Sequence, residues 1–85
     1  MEITVGTVVR SIAGRDKGER FIVLTREGEY AYIADGELRK TDRPKKKKLK
    51  HLQGSYQIAE FIKGKIKNGE GVENHEVRKA LAEFN

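Results

Sequence analysis

Glycine turns divide the first half of this 85-residue chain into apolar stretches of strand length. Val5–Ile12 (V-G-T-V-V-R-S-I) is rich in β-branched residues and closes at Gly14, as expected of a pleated segment. Ala13-Gly14-Arg15-Asp16-Lys17-Gly18 follows as a turn-forming cluster, in which Gly14 and Gly18 can take a positive φ without steric cost. Phe21-Ile22-Val23-Leu24, extended by Thr25, is a continuous apolar run. Glu27-Gly28-Glu29 supplies the next turn, and Tyr30–Ala34 reads as a third strand. Asp35-Gly36 is a strong two-residue hairpin signal, because both residue types tolerate the left-handed backbone of such a turn. It predicts a short fourth strand over Glu37–Lys40.

Short strands joined by tight turns predict a small barrel or a strongly bent sheet. Closure would also remove the open edges that invite aggregation. The one proline, Pro44, ends the pattern. It biases Arg43 toward extended geometry and is expected to let the lysines that follow leave the sheet as a stalk. Beyond Gly54 the period changes. Ile58, Phe61, Ile62 and Ile66 fall at helical spacing and predict an amphipathic helix over 56–67, weakened at Gly64 by about 1 kcal/mol relative to alanine. After the breaker Asn68-Gly69-Glu70-Gly71, Asn74 is the expected N-cap of a second helix, with Glu76 in its first turn. Val77, Ala80, Leu81 and Phe84 form its apolar stripe. The expected organisation is mainly β: an SH3-like barrel over 1–54 that includes the basic segment 39–51, and a helical appendage over 55–85 packed on it. Phe21, Phe61 and Phe84 are expected in the core.

A chain this short has a thin core, and apolar and charged residues each make up 36% of it. The apolar residues nevertheless fall in runs, which predicts a folded domain with a charged surface. With no cysteine, neither a disulfide nor a thiolate zinc site can form, which fits a reducing compartment. Met1-Glu2-Ile3-Thr4-Val5 lacks the charged start and apolar stretch of a signal peptide, and no apolar run approaches bilayer length. These features predict a soluble, cytoplasmic protein without a membrane partner.

The net charge of +5 is unevenly spread. Arg39, Lys40, Arg43, Lys45, Lys46, Lys47, Lys48 and Lys50 stand against Asp42 alone within Arg39–His51, a net +7 in thirteen residues. The rest of the chain sums to −2. Cations displace counterions condensed on phosphates, so this segment is expected to bind nucleic acid without reading its sequence. About 4–6 phosphate contacts would each add roughly −0.7 to −0.9 to the salt dependence. The bland alternative is a solvated solubility run or a nuclear-localisation-like run. Leu49 and Leu52 argue against it, because a free tail needs no apolar residues; they predict a run held against the domain with its lysines on one side.

The turn Gly14–Gly18 offers Arg15, Lys17 and backbone N–H groups to a phosphate. It lacks the Gly-Lys-Ser/Thr ending of a nucleotide-binding loop, and a plain charged turn would look the same. Tyr30 and Tyr32 alternate on one strand face, where they either stack on bases or cover the thin core with their hydroxyls in water. His51 is a candidate phosphate contact and His75 a surface residue. No nucleophile is paired with either, and no carboxylate or histidine cluster has metal-ligand spacing. An enzyme, a cofactor, a metal and a small-molecule substrate are therefore not expected.

Gly6-Thr7-Val8-Val9-Arg10-Ser11-Ile12-Ala13-Gly14-Arg15-Asp16-Lys17-Gly18, followed by Phe21-Ile22-Val23, resembles a KOW motif of ribosomal proteins and transcription elongation factors. Ala34–Lys40 leading into Pro44–Leu52 resembles the large-subunit ribosomal protein fourteen family of archaea and eukaryotes, together with its short bacterial relatives, the KOW-domain RNA-binding proteins. The likeness covers roughly residues 5–52, and Val72–Phe84 is similar to that family's C-terminal helix. It implies an SH3-like barrel bound to structured RNA, ribosomal RNA foremost, in association with the large ribosomal subunit. The positions carried over are Gly14, Arg15, Lys17 and Gly18 in the turn, and Lys45–Lys48, Lys50 and His51 in the basic segment. The longer insertions of the archaeal protein are missing, which leaves ribosomal subunit and accessory factor both open. The competing expectations are a protein-interaction KOW module of the transcription or translation machinery, and a duplex DNA binder.

Overall fold

Phe21, Ile22, Val23 and Leu24 are apolar at consecutive positions, and successive strand side chains point to opposite faces. All four can be buried only if both faces of their sheet are covered. The computed structural model, which describes residues 2–84, meets that condition. Five strands, β1 (Val8–Ser11), β2 (Arg20–Glu27), β3 (Tyr30–Ala34), β4 (Lys45–Lys48) and β5 (Leu52–Gln53), form one antiparallel sheet of order β4-β3-β2-β1-β5. Val8, Ile22, Leu24 and Ala34 face two helices, α1 (Glu60–Lys67) and α2 (Asn74–Glu83), and meet Ala59, Ile62, Val77 and Leu81. Val9, Phe21, Val23, Ala31 and Ile33 face the other way, into the concave side of the sheet, and gather around Leu52 with Ile3 and Leu49 at the margin. The helices thus complete one of two cores.

A bulge at Leu24 advances β2 past β3, so that Val23 pairs with Ile33 but Thr25 with Tyr32. The extra residue reverses the alternation beyond it. Thr25 and Glu27 therefore stand beside Tyr32 and Tyr30 on the outer face.

The expected strand over Glu37–Lys40 does not form. Asp35 closes the chain on itself instead: its Oδ1 accepts the N–H groups of Glu37 and Arg39, each at 2.9 Å, and its own N–H donates to the Arg39 carbonyl at 3.0 Å. Asp35-Gly36 is a turn, but the chain pairs again only after Pro44, and the fourth strand is the lysine run itself. The expected stalk is an edge strand.

One 3-10 turn, Leu49–His51, carries the chain from β4 to β5 at opposite edges of the sheet. So short a link makes the sheet curl until its edges approach, because a 3-10 turn rises only about 2 Å per residue. The curl stops short of closure: among the described residues β4 and β5 share no ladder, and β5 is a two-residue strand already paired with β1.

Helix α1 starts later than its apolar spacing predicts. Residues 55–59 stay extended because they bond to the start of β1, through Val8 N–H to the Gln57 carbonyl (2.9 Å) and Ala59 N–H to the Gly6 carbonyl (2.8 Å). With Ile58 outside the helix, Ile62 and Ile66 carry the buried face. Phe61, expected in the core, is 65% exposed. In α2 the expected N-cap moves by one residue: the N-cap is Glu73, whose N–H donates to Glu76 Oε1 at 2.8 Å, as in a capping box. Asn74 Oδ1 instead accepts the Thr41 N–H at 2.8 Å. That Glu73 N–H, followed by the Lys65 ammonium 2.9 Å away, holds the Glu76 carboxyl below the usual range. The last turn of α2 has no basic residue, and Arg20 reaches over from β2 to donate to the Leu81 and Phe84 carbonyls, satisfying acceptors that a helix end leaves open. No helix is long and apolar enough to cross a membrane, among the described residues.

Gly36 fixes how α2 meets the β3–β4 loop. Its φ is +81°, its carbonyl accepts Arg78 Nη1 at 2.7 Å, and a Cβ there would lie 2.4 Å from the Asn74 carbonyl oxygen. Gly36→Ala is expected to cost at least about 1–2 kcal/mol from the left-handed backbone alone, with the clash in addition. Thermal unfolding should show a midpoint lowered by roughly 4–8 °C per kcal/mol; an unchanged midpoint would contradict this docking.

Candidate nucleic-acid interface

The lysine run becomes a strand whose side chains are sorted by what lies across from them. Lys45 pairs with Ile33 and Lys47 with Ala31, whereas Lys46 pairs with Tyr32 and Lys48 with Tyr30. Directly paired residues share a face. Ile33 and Ala31 are fully buried, so Lys45 and Lys47 turn inward, and Lys47 is only 7% exposed. An ammonium there needs a partner, because an unpaired charge is costly to bury.

Asp16 is that partner. It sits in the turn between β1 and β2, bounded by Gly14 at φ +85° and Gly18 at φ +93°. Its Oδ1 accepts Lys47 Nζ at 2.6 Å and Ser11 Oγ at 2.6 Å, and its Oδ2 accepts Lys45 Nζ at 2.8 Å. Lys47 Nζ donates further to the Ala13 carbonyl at 2.7 Å. Burial alone would raise the Asp16 pKa, but the hydrogen bonds from Lys45, Lys47 and Ser11 outweigh it and hold the carboxyl well below the usual carboxylate range.

The remaining cations face water. Lys46, Lys48 and Lys50 are exposed and His51 is half-buried. Arg15 and Lys17 flank Asp16 and are exposed, so the Asp16 bridges set these two cations beside β4. Ile12 N–H donates to the His51 carbonyl at 3.0 Å, which ties the same turn to the 3-10 segment carrying Lys50. Arg39, Lys40 and Arg43 are exposed at the other end of β4, in the loop that Thr41 and Gly36 fasten to α2. Leu52 is buried and Leu49 packs beside it. These anchors hold the run against the domain, but its lysines alternate between two faces and do not share the single side expected of them.

Charge counting along the sequence missed Asp16 and Ser11. An acid centred in a glycine-bounded turn, with a cation on either side, was the visible signal. The outer pair also carries an aromatic neighbourhood: Lys46 Nζ lies 4.5 Å from the Tyr30 ring centroid and 6.0 Å from that of Tyr32. No group of three or more metal-ligating side chains occurs among the described residues. No protein-family model matches the chain, and no curated protein matches it.

Asp16→Ala would leave the Lys47 ammonium buried with the Ala13 carbonyl as its acceptor, at an expected cost of about 3–5 kcal/mol at pH 7. Lys47→Met leaves Asp16 paired with Lys45 and Ser11, and should cost less. Because the folded Asp16 pKa is depressed, its contribution is complete above the unfolded value of about 3.9 and is lost as pH falls through the folded value. Urea unfolding from pH 7 to pH 2 should show the gap between wild type and Asp16→Ala narrowing below about pH 4. A gap that stays constant would contradict the bridge.

Proposed function

We propose that this protein binds structured RNA, ribosomal RNA foremost, through phosphate charge and shape, and that it associates with the large ribosomal subunit. The observation that carries the reading is the sorting of its cations. Arg15, Lys17, Lys46, Lys48 and Lys50 project to solvent from backbone that is paired, bridged or packed, while the inward lysines are bridged by Asp16. Ordered cations keep their spacing when they meet phosphates and lose less conformational freedom there than a tail would. Structured RNA presents phosphates and 2′-hydroxyls in fixed arrays that such a ridge can follow without reading bases. The role is binding, with no catalytic step.

The fold reading within this proposal is an SH3-like barrel of KOW type. It is supported by the glycine-bounded turn between β1 and β2, by the strand order β4-β3-β2-β1-β5, and by the single 3-10 turn that brings the edges near each other. A second reading is a protein-interaction module of the transcription or translation machinery. The exposure of Phe61 (65%) and Tyr56 (86%) favours it.

Titration of structured RNA and duplex DNA at several salt concentrations separates these readings, with RNA preferred if the first is right. Replacing Lys46, Lys48 and Lys50 together by alanine should flatten the salt slope of RNA binding by about 2–3, at roughly 0.7–0.9 per lost contact, and should leave thermal stability nearly unchanged. RNA affinity and slope equal to wild type would refute the electrostatic proposal. Lys45 and Lys47 are left in place because their loss would break the Asp16 bridges and confuse folding with binding.

A further inference from the structure

Tyr30 and Tyr32 share the outer face of β3 with Ala34, yet only Ala34 joins the cluster under the helices. The two rings are half-buried and rise from an open patch of sheet. Across β4 stand Lys48 and Lys46; across β2 stand Glu27 and Thr25; all four are exposed. Neither phenol hydroxyl has a hydrogen-bond partner among the described residues. Their hydroxyls are left to water, and neither ring joins either core cluster.

We infer that Tyr30 and Tyr32 form a stacking platform for unpaired RNA bases, with Lys46 passing from the ring face to the phosphate of the nucleotide that stacks. The inference rests on the RNA-binding reading and names the part of the RNA that this face takes. Residues two apart on a strand lie about 6.7 Å from each other, so each ring can receive its own base. Every base has a π-face, so the platform accepts any sequence. Lys46 already sits over both rings, at 4.5 and 6.0 Å. An exposed ammonium on a ring is held less strongly than a stacked base, so the exchange is favourable. The flanks give the nucleotide an orientation. Lys46 and Lys48 draw phosphates toward the β4 edge, while the Glu27 carboxylate repels them from the β2 side.

The chain has no tryptophan and three tyrosines, so in a Tyr56→Phe background the intrinsic fluorescence reports Tyr30 and Tyr32 alone. The probes are a uridine 12-mer and an abasic 12-mer with the same phosphates. The uridine oligomer should quench the fluorescence and bind about tenfold more tightly than the abasic one, the scale expected of stacking. Tyr30→Leu and Tyr32→Leu should each erase much of that advantage with the salt slope unchanged, and the matching phenylalanine variants should keep it. Circular dichroism verifies that each variant is folded, and the wild-type comparison of the two oligomers needs no variant. Equal affinity for both oligomers, or leucine variants that keep the advantage, would overturn the platform. If structured RNA still binds in that case, the RNA reading stands without it. If no RNA binds, both fall.

Discussion

The Asp16 carboxylate joins parts of the chain that are far apart in sequence. It accepts Ser11 from the end of β1 and Lys45 and Lys47 from the edge strand β4, and so fastens the β1–β2 turn to the far side of the sheet. Without it, four lysines in succession would be an implausible strand, since lysine has little β propensity and Lys47 is buried. A buried ion pair is weak evidence for stability, because well-packed apolar residues can often replace it without loss. Its value here is specification. Strand register repeats every two residues, so a slip of one would turn Lys46 and Lys48 inward and expose Lys45 and Lys47. The carboxylate, set at one position, recognises only the pair that faces it.

The same constraint divides one low-complexity segment between two faces of the sheet. Two lysines hold β4 in place, and the two between them are left on the outer face beside Tyr30 and Tyr32. The lysines also guard the edge itself, because charged side chains on an edge strand deter pairing with another chain. The Asp16 bridges further position Arg15 and Lys17, which flank the carboxylate in a turn that is itself bonded to the backbone of His51 through Ile12. The ridge is therefore ordered from both ends of the sheet.

Much of the sheet was legible in the sequence, because β-branched runs and glycine turns act locally. The continuous apolar run Phe21–Leu24 lies within β2 as expected of a strand, and both tyrosine positions alternate as expected. What stayed hidden was in part a local competition for backbone groups and in part contacts distant in sequence. Asp35-Gly36 carried the local signature of a hairpin, but the Asp35 side chain satisfied the backbone of Glu37 and Arg39 and removed the need for a returning strand. Phe61 fitted a helical stripe that began at Ile58, yet Ile58 was drawn into an extended segment against Thr7. The lysine run read as a stalk because its partner, Asp16, lies some thirty residues earlier. The candidate site was legible as a charge total and not as an arrangement.

Strand alternation divides one run of lysines into two that bridge Asp16 and two on the outer face that are proposed to meet RNA. Residue-resolved acetylation rates, measured by mass spectrometry with and without bound RNA, test it most directly. Lys47 should react slowly in both states and Lys45 slowly to a lesser degree, while Lys46 and Lys48 should react fast in the free protein and become protected by RNA. Equal rates along Lys45–Lys48 in the free protein, or protection by RNA that spreads evenly over all four, would contradict it.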